Sequence, residues 1–224
     1  PEVRLRVNVA ALRLLRSGLF ARRAPTPEER AVLLAYSGWG GISSLDKVAE
    51  DTAVWRPEEL ADIRAVKSGK IPTGDTFRGA LHQYFTPITA VRAMWALLRR
   101  VGSPFLPENG PVHALEPSAG VGRFPQAAPT DLDLRWTLVE MDAIEGDILA
   151  HAYPQATLFR GMFEAWCAQN PPRSRAGFDA VIANPPYTDR GIERRLDPLD
   201  EKWVDGSLYF LIAAARRLRP GGVM

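Results

Sequence analysis

Asn184-Pro185-Pro186-Tyr187 is the stretch of this chain whose residue types and order can do chemistry. An amine on an aromatic ring, such as the exocyclic nitrogen of adenine, is a poor nucleophile because its lone pair is delocalised. It carries two N–H donors. The side-chain oxygen of Asn184 offers one acceptor and the Pro185 carbonyl a second. Accepting both hydrogens draws the nitrogen toward a tetrahedral shape, localises the lone pair and aims it. Such catalysis works by positioning and fixed dipoles, without a strongly shifted general base. Tyr187 adds an aromatic face for a planar base. Inside a duplex the base must be flipped out to reach such a pocket, and stacking offsets part of the unstacking cost.

A second constellation lies upstream. Leu115-Glu116-Pro117-Ser118-Ala119-Gly120-Val121-Gly122-Arg123-Phe124 follows an apolar run at 112–115. Glycines at that place let the backbone turn tightly and approach a ligand closely. The turn alone fits a dinucleotide, S-adenosylmethionine or a plain strand-to-helix corner. Glu116 adds information: a carboxylate there repels a pyrophosphate and suits a cationic amino group, such as that of a methionyl moiety. About twenty residues on, an apolar run ends in Val139-Glu140-Met141-Asp142, and an acid at that spacing hydrogen-bonds a ribose diol in nucleoside-binding α/β folds. Glu140 is chosen over Asp142, which suits the start of a helix.

These residues need a scaffold. From residue 81 onward, short apolar runs at 112–115, 136–139, 157–159 and 178–183 alternate with helical stretches, including 89–101 and 145–152. Strand-helix alternation predicts an α/β fold with a parallel sheet. Ligands then bind outside the carboxyl ends of the strands, so the glycine turn and the tetrad share one cleft. Residues 218–224 read as a helix end, a turn and the first residues of a fifth strand. That predicts a sheet incomplete at the C-terminus, in a piece of a longer polypeptide. Residues 1–80 read as a separate helical segment. Its clearest helix start is Thr26-Pro27-Glu28-Glu29, a cap, a first-position proline and a capping-box acid. Gly38, Gly40 and Gly41 stop that helix, a second helix runs over 57–66, and 67–76 reads as a loop. The expected division is 1–80 and 81–224.

Composition bounds the reading. The chain has 224 residues, 46% of them hydrophobic, and a net charge of +2, which fits a globular protein with a real core. No apolar run approaches the ~20 residues of a membrane helix. Arg4 and Arg6 interrupt the start, so no signal peptide is readable. Cys167 is the single cysteine, which excludes an internal disulfide and a cysteine-rich zinc site. A cytoplasmic location is expected. The cations are mostly Arg, spread along the chain without a patch. The charged run 189–205 reads either as a loop that meets phosphates or as a solvated loop.

Residues 83–224 resemble the N6-adenine DNA methyltransferases, with their class I, Rossmann-like fold. The resemblance rests on 115–124, on 139–142, on 178–187 and on Tyr84-Phe85-Thr86-Pro87. It implies S-adenosyl-L-methionine as cofactor, DNA as partner and Asn184, Pro185, Pro186 and Tyr187 as the catalytic tetrad. It places the cofactor on Glu116, Pro117, Ser118, Ala119, Gly120, Gly122, Glu140, Met141 and Asn184. It further implies that Thr86 contacts the methionine carboxylate and that backbone groups near Met162 and Phe163 contact the cofactor adenine. Many relatives carry an acid where this chain has Met162. Residues 8–15 and 35–41 resemble the helical leader of large phage and plasmid methyltransferase–helicase proteins, which implies a helicase or target-recognition domain in the same or a partner chain, and roles around restriction. Relatives with the same tetrad methylate protein glutamine or RNA guanine; a cofactor- or DNA-binding module without independent catalysis is a third reading.

Overall fold

The computed structural model describes residues 2–40, 55–67, 84–102, 106–107, 110–172, 177–186 and 206–224. Tyr187, Gly41, the greater part of the expected loop at 67–76 and the charged run 189–205 lie outside them. The chain divides into two compact units, 1–85 and 86–224.

The described elements of the first unit are helical: α1 (Glu2–Arg16), a 3-10 turn (Leu19–Ala21), α2 (Pro27–Ala35) and α3 (Pro57–Lys67). Leu5, Val9 and Leu12 of α1 repeat at helical spacing and are buried, so α1 presents one apolar stripe to its neighbours. Thr26 and Glu29 form the expected capping box, with Glu29 N–H donating to Thr26 Oγ1 at 3.2 Å and Thr26 N–H to Glu29 at 2.8 Å. The helix ends at Ala35, before the glycines. Buried Asn8 then holds the following turn: its Nδ2 donates to the Gly38 carbonyl at 2.7 Å and its Oδ1 accepts from Ser37 N–H at 2.9 Å.

The second unit is a five-stranded parallel sheet flanked by helices. Its elements are α4 (Ile88–Leu97), a π-type turn (Leu98–Gly102), β1 (Val112–Glu116), α5 (Arg123–Gln126), β2 (Leu134–Glu140), α6 (Ala143–Ala152), β3 (Thr157–Arg160), α7 (Phe163–Gln169), β4 (Phe178–Val181), α8 (Gly206–Ala215) and β5 (Leu218–Val223). The strand order is β3-β2-β1-β4-β5. Strands buried on both faces read as near-continuous apolar runs. Here Leu115, Val139 and Val181 pack with Phe163, Trp166 and Phe210 in one core cluster, while Ile182 packs with Val91, Trp95 and Phe124 in another.

One expectation is corrected. The proposed turn within 218–224 is strand: β5 carries Pro220-Gly221-Gly222 along the sheet edge, and two steps of β4, Phe178 to Ala180, span five of β5, Leu218 to Val223. Proline is tolerated there because an edge strand has a side that needs no donor. Asp179 fastens this irregular edge. Its carboxylate accepts from His113 N–H at 2.8 Å and from Arg219 Nε at 2.5 Å, joining β1, β4 and β5. Asp179→Ala is expected to lower the unfolding free energy by about 1–3 kcal/mol, since it strands a backbone donor and a guanidinium. Urea titration of both proteins measures this, and an unchanged midpoint would refute it.

Candidate active site

β1 ends in Glu116, whose residue is 2% exposed. Among the described residues its Oε2 has no hydrogen-bond partner. The chain then turns through Pro117–Gly122. Gly120 and Gly122 take left-handed dihedrals, φ 54° and 74°. Four bonds hold the turn. Ala119 N–H donates to the Val139 carbonyl at 2.9 Å and Gly122 N–H to the Ala119 carbonyl at 2.8 Å. Gly120 N–H donates to Glu140 Oε2 at 2.7 Å, and the Tyr153 hydroxyl donates to the Gly122 carbonyl at 2.8 Å. A Cβ on Gly122 would stand 2.5 Å from Tyr153 Cε2, so the ring occupies the space that only glycine leaves.

Glu140 closes β2. Its other oxygen accepts from Asp142 N–H at 2.8 Å. Asp142 caps α6, accepting from Ile144 N–H at 2.9 Å, and α6 buries Glu145 in its first turn. Three glutamates therefore crowd one corner. Burial pushes the Glu116 carboxyl well above its ordinary value, with the Glu140 charge adding to it. Burial likewise raises Glu140, from the usual 4.5 to about 7, against the backbone donors that lower it. Burial raises Glu145 too, followed by its hydrogen bond to Asp142 and the charges of Asp142 and Glu140.

Asn184, Pro185 and Pro186 follow β4 at the carboxyl end of the sheet. Ile182 N–H still donates to the Leu115 carbonyl at 3.3 Å. At Asn184 the backbone carbonyl accepts from Ser118 Oγ at 3.4 Å, and the side-chain Nδ2 donates to Thr86 Oγ1 at 3.1 Å. The Pro186 carbonyl accepts from Ser207 Oγ, in the first turn of α8, at 3.0 Å. Pro117 and Pro185 line one cavity of about 240 Å³, with Met94, Ile182, Phe210 and Met224.

The structure thus draws Thr86, Glu116, Ser118, Ala119, Gly120, Gly122, Glu140 and Asn184 into one region at the carboxyl ends of β1, β2 and β4. Met141 follows Glu140 and is exposed, at 56%. Met162 precedes α7, next to Gly161, whose N–H donates to the Glu140 carbonyl at 2.8 Å. The Phe163 side chain is committed to the core against Trp166 and Phe210, so only its backbone is left to a ligand. Sequence reasoning missed Tyr153 as the brace of the glycine turn and Glu145 as a buried acid. Tyr153 acts on a residue 31 positions away, for which no local pattern exists.

No family model matches the chain. The chain is 25% identical over 223 residues to the defense against restriction protein B of Escherichia phage P1. That alignment covers 100% of this chain and 8% of the phage protein. Among solved structures, a putative class I S-adenosylmethionine-dependent methyltransferase from Listeria monocytogenes superposes with a TM-score of 0.52 at 15% identity. It covers 98% of this chain and 71% of the Listeria chain. The α/β architecture is therefore that of the class I methyltransferase fold.

Two outcomes follow from this geometry. Gly122→Ala forces alanine into a left-handed dihedral and against the Tyr153 ring, and is expected to destabilise the unit by about 1–3 kcal/mol. In a double-mutant cycle with Tyr153→Ala the two changes are expected to couple, because truncating the ring removes the clash and leaves the dihedral strain. Strict additivity in chemical unfolding would contradict this. The second outcome concerns pH. A carboxyl whose folded pKa is raised holds a proton that the unfolded chain has lost, so its contribution to stability falls as pH rises. For Glu140 the window runs from about 4.5 to about 7. Thermal unfolding between pH 5 and pH 8 is expected to show a steeper decline for wild type than for Glu140→Gln; parallel curves would refute it.

Proposed function

We propose that this chain is the cofactor-binding and catalytic part of a DNA methyltransferase that methylates the N6 amine of a flipped-out adenine, with S-adenosyl-L-methionine as the methyl source. The observation that carries this reading is Asn184 beside a glycine turn whose leading acid, Glu116, is buried with an oxygen unpartnered among the described residues.

The residues fit that cofactor. A buried carboxylate oxygen without a donor matches a ligand ammonium, because leaving it unpaired costs more than pairing it. Glu140 at the end of β2 matches a ribose diol, and exposed Met141 beside it offers an apolar surface to an adenine ring. Gly120 and Gly122 leave the turn open to close approach. When bound, the cofactor supplies a methyl carbon activated by a positively charged sulfur. The chain's own part is to hold the amine. Asn184 Oδ1 and the Pro185 carbonyl accept its two hydrogens, and Pro185 and Pro186 stiffen the backbone that carries them. The apolar wall formed by Pro117, Pro185, Phe210 and Met94 excludes water from that side.

DNA as substrate is supported by the tetrad in its position after β4 and by the phage relative, whose name concerns defense against restriction. A helicase or target-recognition domain, in the same or a partner chain, completes the proposed assembly. The test is transfer of labelled methyl from S-adenosylmethionine to unmethylated DNA. Label is expected on adenine N6, falling by about 10²–10³ in Asn184→Ala, the usual effect of removing one preorganised hydrogen-bonding group. Label on protein glutamine or RNA guanine instead would replace DNA as the substrate and keep the chemistry.

A further inference from the structure

The Asn184 side chain has two ends of nearly equal size, and only one of them suits the proposed reaction. Oδ1 accepts hydrogens from an amine, whereas Nδ2 carries hydrogens of its own. Rotating the amide by half a turn would set donors against donors and misplace the nucleophile. We infer that Thr86 is the positioning residue that sets this orientation, by committing Asn184 Nδ2 and thereby turning Oδ1 toward the substrate amine. This rests on the reading above.

The main chain of Asn184 is already fixed, by Ser118 on its carbonyl and by the prolines that follow. The side-chain amide is the part of Asn184 that Thr86 contacts. Thr86 Oγ1 accepts from Nδ2 at 3.1 Å, across 98 positions of sequence. Thr86 is itself well placed to be rigid. It precedes Pro87, whose φ of −56° is set by its ring, and Pro87 starts α4, with its carbonyl accepting from Val91 N–H at 3.1 Å. A threonine hydroxyl has one donor and two acceptor sites. Left alone, it can rotate and donate to a reversed amide. Once its proton goes to an anion, only lone pairs face Asn184, and the amide must present nitrogen to Thr86. A cofactor carboxylate taking the Thr86 proton would therefore lock the orientation, so that occupancy of the cofactor site prepares the amine site.

The experiment compares Thr86→Val, which keeps shape and loses the hydroxyl, with Thr86→Ser, which keeps the hydroxyl, in the full-length polypeptide. The Asn184 side-chain NH₂ resonance, assigned by its loss in Asn184→Ala, is expected to shift in the valine variant and return in the serine variant. At saturating S-adenosylmethionine, kcat is expected to fall on the order of ten- to a hundredfold in Thr86→Val, as misorientation of a reacting group does, and to recover within about twofold in Thr86→Ser. Adding Thr86→Val to Asn184→Ala is expected to cost nothing further in kcat. An unmoved resonance overturns the inference whether or not methyl transfer is detected, and so does a valine variant that changes only the KM for cofactor. A shifted resonance in a protein that transfers no methyl to DNA, RNA or protein would keep the orienting contact and remove the methyltransferase reading.

Discussion

The parallel pairing of β1 with β4, Ala114 beside Ala180 and Leu115 beside Val181, decides where every reactive group can stand. The order β3-β2-β1-β4-β5 means that the chain builds outward from β1 in one direction and then returns to its other side. Connections leaving β1 and β4 therefore diverge, and a crevice opens between them at the carboxyl end of the sheet. Register does the rest. Glu116 directly follows Leu115, and Asn184 lies three positions past Val181, so the turn after one strand meets the segment after the other, as Ser118 and Asn184 do. A slip of one residue would send the alternate side chains to the wrong face. Asp179, at the opposite end of the same strands, opposes that slip by binding β1 and β5 at once.

The electrostatics of the crevice make sense against the way the same unit treats another buried charge. Arg217 is 4% exposed. Its guanidinium donates to three backbone carbonyls, of Asn170, Ala213 and Cys167, at 2.7–2.9 Å, and lies over the Trp166 ring at 5.5 Å. That is how a fold satisfies a charge that it keeps for itself. Glu140 receives backbone donors, from Gly120 and Asp142 among others, and is partly satisfied. Among the described residues, Glu116 leaves one oxygen unpartnered beside a second carboxylate. An arrangement that disfavours negative charge would, on the proposed reading, favour a cationic ligand, which relieves the same repulsion that the fold tolerates. On the proposed reading, stability given up at Glu116 becomes affinity for the cofactor's ammonium group.

What could be read in the sequence was what local rules govern. The Thr26 capping box needs only residues three apart, and the Asp142 cap follows directly on the acid of β2. The strands were visible as short, mostly apolar runs, clearest in the largely buried β1 and β4, and the α/β class followed from their alternation with helices. The glycine turn was visible because the left-handed dihedrals at Gly120 and Gly122 restrict the residue type. Other features arise from contacts distant in sequence. The brace that Tyr153 gives Gly122 leaves no local pattern. The Pro-Gly-Gly of β5 carries every sign of a turn, and only the edge position turns it into strand. Phe163 was legible as a neighbour of the site, but its ring answers to Trp166 and Phe210 in the core.

Substrate choice follows a different logic from catalysis. The acceptor pair proposed at Asn184 and Pro185 recognises a planar NH₂ group, which adenine, guanine and glutamine all present. Apolar walls such as Pro185, Phe210 and Met94 add little discrimination, about 1–3 kcal/mol per methylene-sized difference. Reading a DNA sequence requires contacts to base edges, and gripping DNA requires cations set against phosphates. The net charge is only +2, and the arginines are dispersed along the sequence. On the proposed reading, grip and sequence choice must come from a separate DNA-binding element, while this unit orients one amine toward one methyl group. A catalytic unit of that kind would gain its specificity from whatever delivers the flipped base, and could keep its tetrad and glycine turn while its targets changed.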